Sequence, residues 1–464
     1  MPVLDEPMQT LEAATAPELR GTVKEVRGLA LRIAAMPAPI GAEIHLHPRN
    51  TKRRADPIPA QIVGFDRQDA IALPLAPTTG VCPGDHAVVH HPTQTAPVGT
   101  PLLGRVLNGK GQPIDALGPL RDTGQRPLDP QPIDPLTRPL IDQPLGTGVR
   151  AIDALTPLGK GQRIGVFAAP GVGKSTLLGS IAKHTAADVT VIALIGERGR
   201  EVRDFLDKTL GEQGRARSVV VAATSDDPPL LRIRAAKTAA TIAEHFRDQG
   251  LDVLLIMDSV TRFAQAQRQV GLASGEPPAT RGFPPSVFAL LPTLMERSGR
   301  TANGSITGVY SVLVEGNDFD EPVADACRGV LDGHLLLDRK LAEKGHYPAI
   351  DPLGSISRLA EDVTTHEHQL ARQLVVQLLA AYRDVEDLLN IGAYAPGSNP
   401  EADLAIACKP AIDTLLKQGR GDQSLDFQTT AAQLGALAHH VQQAQQQITQ
   451  PNRAATTPPQ ANRP

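Results

Sequence analysis

The chain has 464 residues, with 46 Lys and Arg against 50 Asp and Glu, a net charge of −4. Aromatic residues make up 3%, with four Tyr and no Trp; proteins that stack bases need exposed rings on a basic stripe, so no nucleic-acid partner is expected. The length suggests about three domains.

Residues 1–20 are acidic and carry Pro, without the basic and apolar regions of a secretory signal. From 21 to about 91 short segments follow one another: GTVKEVRGLALRIAA, AEIHLH, AQIVGF, AIALPL and HAVVHH. Pro, Gly and Asp turn signals separate them, the pattern of a small β-barrel. A Pro-rich stretch over 92–144 keeps returning to apolar residues and reads as an ordered connector lying over a surface.

From about 146 to 358 the runs RIGVFAA, VTVIALIG, SVVVAAT and DVLLIMD are short and bounded by turns. Helical patterns lie between several of them, including KSTLLGSIAKHTA and RIRAAKTAATIAEHFRDQG. That alternation predicts an α/β fold with a parallel sheet covered on both faces. After 360 the strands stop, and Leu370, Leu374, Leu378, Tyr382, Val385 and Leu389 mark an amphipathic helix. More helix follows to about 447, and the Gln- and Pro-rich end is expected to be disordered. No stretch of 18 apolar residues occurs, so no helix is expected to span a bilayer. Cys82, Cys327 and Cys408 are few and far apart, and read as reduced, buried thiols.

The strongest signal lies at 168–175. Ala168, Ala169, Pro170, Gly171, Val172, Gly173, Lys174 and Ser175 follow one predicted strand and open a helix. The pattern is that of a phosphate-binding P-loop, with Ala168 in place of the first Gly. Small residues let backbone N–H groups converge on phosphate oxygens, and the helix N-terminus adds its dipole. Lys174 would lie along the β- and γ-phosphates, Ser175 would ligate Mg²⁺, and Thr176 is a further phosphate contact. Two acids stand at the ends of predicted strands. Asp258 suits a Walker B carboxylate. Glu197 suits a residue that orients an attacking water, or else a solvated loop acid. Arg198 and Arg262 are site residues or salt-bridge residues. Ligands of open α/β sheets bind outside the carboxyl ends of the strands, where Lys174, Glu197 and Asp258 would converge.

The segments GVRAIDAL, GVFAAPGVGKSTLLG, IGERGREVRDF, MDSVTRFAQAQRQVGLASGEPPATRGFPPSVFALLP and HYPAIDPLGSISR together resemble the type III secretion ATPases. These are relatives of the catalytic β subunit of F-type ATP synthase, with the flagellar export ATPase as nearest sibling. The resemblance covers about 21–447, and VFAAPGVGKST and SVTRFAQAQ look more like the injectisome branch. It implies a RecA-like P-loop NTPase core (96–365), an N-terminal β-barrel (21–95) and a helical C-terminal domain (366–447), flanked by a flexible segment (1–20) and a disordered tail (448–464).

By the same resemblance, Glu197 is the water-activating glutamate and Arg198 the arginine beside it. Arg262 is the arginine following the Walker B Asp258, and Tyr347 packs against adenine. Arg358 is an arginine finger reaching the neighbouring subunit's nucleotide, or a surface Arg in a local ion pair. The implied activity is hydrolysis of ATP with Mg²⁺, driving chaperone release and substrate unfolding at an export gate. The implied assembly is a homohexamer with stator, central-stalk, export-gate and chaperone–effector partners, peripheral to the cytoplasmic face of the inner membrane.

Other classes make different demands. A rotary synthase subunit would lack GEPPATRGFPPSVFALLP and carry an acidic lever near its C-terminus. A hexameric RNA helicase would place aromatic and basic residues in the barrel, where Phe65 is the only aromatic up to position 91. A non-catalytic ring would have lost Lys174, Glu197 or Asp258.

Overall fold

The computed structural model describes residues 19–49, 56–314, 321–419 and 421–449. Of the segments expected to be unstructured, 1–18 and 450–464 lie outside these residues; Arg20 opens the first strand, and the last helix runs to Thr449.

Six antiparallel strands close a barrel in the order β1-β2-β5-β4-β3-β6. They are β1 (Arg20–Arg27), β2 (Ala30–Ala34), β3 (Glu43–His47), β4 (Ile58–Asp66), β5 (Asp69–Pro74) and β6 (His86–His91). Alternation drives the closure: Val23, Leu31, Ile33, Ile44, Leu46, Ile62 and Ala72 fill one buried cluster, and closing the sheet removes its open edges.

The central sheet runs Ile356–Ser357, Gly333–Leu337, Arg163–Ala168, Ser305–Leu313, Asp252–Asp258, Val189–Glu197, Ser218–Thr224 and Val106–Asn108. From Gly333–Leu337 onward every pairing along this order is parallel. Successive strand residues serve opposite faces. Ile192 and Leu194 pack with the Lys174–His184 helix, and Val191, Ala193 and Ile195 with the Pro229–Asp248 helix. Both faces are therefore dry, which is why the strands read as continuous apolar runs.

The connector is more than a strap. Val106–Asn108 pairs with Val220–Ala222 and forms the far edge of the sheet. Leu102, Leu107 and Leu128 are buried, whereas Leu136 and Leu140 are 95% and 86% exposed.

Three helices, His366–Asn390, Pro400–Leu416 and Phe427–Thr449, pack on the same core as the Lys174–His184 helix. Thr365 and Asn399 cap the first two through their side chains. The buried stripe of the first helix is Ala371, Val375, Leu378, Leu379 and Val385, and Leu370 is exposed. A four-residue step overshoots the helical turn by about 40°, so the stripe read from Leu370 drifts off the buried face. The cysteine expectation holds for Cys327 and Cys408 but not for Cys82, which is exposed. Cys82 lies in a turn where its N–H donates to Asp85 at 2.7 Å. No helix among the described residues is long and apolar enough to cross a membrane.

One ionic joint ties the barrel to the sheet domain. Glu43 of β3 is 2% exposed and accepts from Lys110 Nζ at 2.6 Å and Arg234 Nη1 at 2.7 Å. Burial alone would raise the Glu43 carboxyl, but Lys110 and Arg234 outweigh it and hold it below its ordinary value. Glu43→Ala leaves Arg234 buried without a counter-charge. Urea denaturation should then register a loss of about 3–5 kcal/mol; an unchanged transition would show that the joint carries no stability.

Candidate active site

The P-loop strand, Arg163–Ala168, is interior to the sheet, flanked by Ser305–Leu313 and Gly333–Leu337. Ala168 is buried at its end and its carbonyl accepts from Val314 N–H at 3.1 Å, so it supports the loop from beneath. Gly171 and Gly173 have φ of 84° and 96°, left-handed values that favour glycine. Val172 is buried between them and anchors the loop. Gly173 caps the Lys174–His184 helix without a side-chain cap bond, and the helix turns its positive dipole end toward the loop. Ser175 and Thr176 stand in that first turn, Ser175 exposed.

Lys174 leans across the neighbouring strand to the carboxyl edge of the sheet. Its Nζ pairs with Asp258 and lies 4.0 Å from Glu197. Asp258 ends its strand and Glu197 ends the next one, so the sheet itself sets the two acids side by side. Asp258 also accepts from Ser311 Oγ at 2.8 Å. Lys174, Glu197 and Asp258 have side chains only 11%, 17% and 5% exposed.

Two carboxylates sharing one lysine in a dry place cannot both be comfortably charged. Burial, then the charge of Asp258, pushes the Glu197 carboxyl up to about 7, while Lys174 pulls the other way. Such a group is poised to hold or release a proton near neutral pH.

Arg262 reaches this edge from the helix that follows Asp258. It packs on Gly196, where an added Cβ would lie 2.9 Å from the Arg262 Cβ. Its Nη1 donates to Gln265 at 3.1 Å, and its buried Nε makes no hydrogen bond. Tyr347 comes from the loop between the strands Gly333–Leu337 and Ile356–Ser357. Its ring lies over Gly173, with Cε1 3.5 Å from where a Cβ would sit, and it is half exposed.

Two of the candidate residues do not join the cluster. Arg198 follows Glu197 but is exposed and pairs with Glu201 at 3.6 Å. Arg358 lies at the opposite end of the sheet. Its N–H donates to Asp332 O, and Asp332 N–H donates to Arg163 O. Arg358 is therefore level with the first residue of the P-loop strand, about 17 Å along the strand from its last, beyond the reach of one arginine side chain.

The donor set suits a hard cation. Ser175 offers a hydroxyl and Asp258 a carboxylate, the oxygen ligands Mg²⁺ takes together with phosphates and water. Among the described residues no three His, Cys, Asp or Glu side chains form a complete metal cage. Sequence reasoning missed Ser311, although a serine in the buried strand SITGVYSVL is a signal in itself. It also missed Gly196, whose role depends on Arg262 from another element.

Residues 148–357 match the model of the ATP synthase alpha/beta family, nucleotide-binding domain. Residues 364–436 match the T3SS EscN ATPase C-terminal domain. The flagellum-specific ATP synthase of Bacillus subtilis is 47% identical over 89% of this chain and 94% of its own length. The type 3 secretion system ATPase of Xanthomonas euvesicatoria is 48% identical over 86% and 89%. The solved structure of the assembled ATPase EscN with its central stalk EscO, from the enteropathogenic E. coli type III secretion system, superposes with a TM-score of 0.82 at 43% identity, covering 90% of this chain and all of that one.

A carboxyl raised to about 7 is neutral below that pH and charged above it. A ¹³C NMR titration of Glu197 in the nucleotide-free protein should give a midpoint near 7, and Lys174→Met, which removes the opposing cation, should raise it further. A midpoint in the ordinary range of about 4–5 would overturn this account of the site.

Proposed function

The chain belongs to the family of type III secretion and flagellar export ATPases, and on that premise we propose that it is the ATP-hydrolysing motor of an injectisome-type protein secretion system. The observation that carries the proposal is the convergence of Lys174, Glu197 and Asp258 at the carboxyl edge of the sheet beside the P-loop. The domain divisions of the proposal fall at 95/96 and 365/366.

In this reading the backbone of Gly171, Val172 and Gly173 cradles the phosphates, resting on Ala168. Lys174 moves from Asp258 onto the β- and γ-phosphate oxygens, with Thr176 as a further contact. Tyr347 packs on the adenine. Ser175 and Asp258 hold Mg²⁺, which when bound neutralises charge on the β- and γ-phosphates. Glu197, released from Lys174, accepts a hydrogen bond from the attacking water and polarises it. Arg262 lies where it can steady the Glu197 strand end and meet phosphate charge, and Arg198 flanks the same end from the solvent side.

In this reading Arg358, which lies too far from its own P-loop to serve it, acts on the nucleotide of a neighbouring copy. One chain carrying both Glu197 and Arg358 then builds a closed ring of identical sites, a homohexamer. Such fingers contribute about 10³–10⁵ in rate elsewhere. The ring docks through a stator on the cytoplasmic face of the inner membrane, with its C-terminal helices toward a central stalk and chaperone–effector complexes, and it releases chaperones and unfolds substrates at the export gate. EscN, with its stalk EscO, supports the stalk partner. Flagellar export is the second reading, favoured by the 47% identity to the Bacillus subtilis protein over 89% of this chain; co-purification of the apparatus from cells decides between them.

The enzymatic core is tested by turnover against protein concentration, with and without RNA. Activity should curve upward and ignore RNA; a linear, RNA-dependent response overturns the proposal. Glu197→Gln should keep ATP bound and lose about 10²–10⁴ in turnover, whereas Lys174→Ala should abolish phosphate binding. Turnover at the parental rate in Glu197→Gln shows the base to be wrong.

Mixing Arg358→Ala chains with Glu197→Gln chains should restore some activity at interfaces pairing an intact Glu197 with an intact Arg358. Rings demonstrably mixed yet silent count against a finger in trans.

A further inference from the structure

One residue outside the P-loop cluster ties the Tyr347 loop to a second segment, the 148–150 turn. Gln418 follows the second C-terminal helix, Pro400–Leu416. Its backbone N–H donates to the Tyr347 carbonyl at 2.8 Å. Its side-chain Oε1 accepts from Arg150 N–H at 3.0 Å, and its Nε2 donates to Gly148 O at 2.9 Å. Arg150 returns the contact, its Nη2 donating to Lys417 O. The amide thus spends one acceptor and one donor on the same turn, 148–150.

That turn is a firm anchor. Gly148 N–H donates to buried Asp153 at 3.1 Å. Gly148 also lies against His184, the last residue of the P-loop helix, where an added Cβ would sit 2.5 Å from the His184 Cβ. The turn therefore moves with the P-loop helix. Tyr347 lies in the loop between Gly333–Leu337 and Ile356–Ser357, and its own side chain is half exposed. Its carbonyl is held by the segment that Gln418 hooks to the anchor.

We propose that Gln418 is a positioning residue for the base side of the nucleotide site: its side chain fastens the C-terminal domain to the 148–150 turn, and its backbone N–H thereby holds Tyr347 over Gly173. The inference rests on the reading of Tyr347 as the adenine-flanking ring. Its consequence is specific. Gln418 acts on ligands that carry a base and leaves the phosphate cradle untouched, because its hydrogen bonds go to Tyr347, Gly148 and Arg150 and not to residues 169–176. It also couples the C-terminal helices to nucleotide affinity through one amide.

The test uses the full-length chain and two probes, ADP and inorganic pyrophosphate, with affinities read by titration calorimetry. Gln418→Ala should weaken ADP about tenfold, the scale expected when two hydrogen bonds are lost, and leave pyrophosphate within about twofold. Tyr347→Ala should do the same. Weaker ADP in Tyr347→Ala but parental ADP in Gln418→Ala overturns the positioning role and leaves the adenine reading standing. Parental ADP affinity in Tyr347→Ala removes the adenine reading, and this proposal with it. Equal weakening of both probes in Gln418→Ala marks general disruption and also overturns it. If thermal melting shows that the alanine chain does not fold, Gln418→Glu carries the same test, since it keeps the acceptor toward Arg150 and removes the donor toward Gly148.

Discussion

Two buried carboxylates facing one lysine constrain the whole molecule. Asp258 and Glu197 end adjacent parallel strands, so their separation is fixed by strand spacing, not by side-chain choice. Lys174 reaches them across one intervening strand, Ser305–Leu313, because the P-loop strand lies in the same sheet. Burying two negative charges is costly unless each finds a partner. Asp258 has Lys174 and Ser311, and Glu197 is left as the acid that keeps its proton up to near neutral pH. A nucleotide that draws Lys174 onto its phosphates changes the balance of all three. The charge deficit is thus a way of coupling ligand binding to the state of the acid.

The surrounding fold supplies the rigidity that this balance needs. The sheet is dry on both faces, and the P-loop helix shares its core with the three C-terminal helices. The C-terminal domain is therefore packed on the back of the phosphate site and is not merely tethered to it. Shifts of those helices can reach the nucleotide through packing as well as through polar contacts. The barrel is joined differently, through a buried Glu43 with Lys110 and Arg234.

Arg358 gives the sheet a direction. The P-loop lies past the carboxyl end of its strand and Arg358 at the amino end, so the two features face opposite ways. If Arg358 acts in trans as proposed, a chain with that polarity presents a donor on one side and a receiver on the other. Head-to-tail contacts of this kind close into rings when the rotation permits.

Much of the site was legible in the sequence because its chemistry is local. Glycines at left-handed positions, a lysine and a hydroxyl on the first helical turn, and an acid ending an apolar strand need only neighbours in the chain to be recognised. The barrel, too, was legible from alternation. The rest required distant segments to meet. Ser311 matters only because its strand lies beside Asp258, Gly196 only because Arg262 packs on it, and Gln418 only because its amide meets residues 148 and 150. Val106–Asn108 became a strand because the sheet had a free edge beside it, although the local Pro content argued for a connector. The low aromatic content and near-zero charge argued against a polyanion-binding surface but named no ligand. Sequence by itself determined the bonding capacity of each group; the tertiary structure decided which groups share a dry space, and charge, proton affinity and strand polarity depend on that sharing.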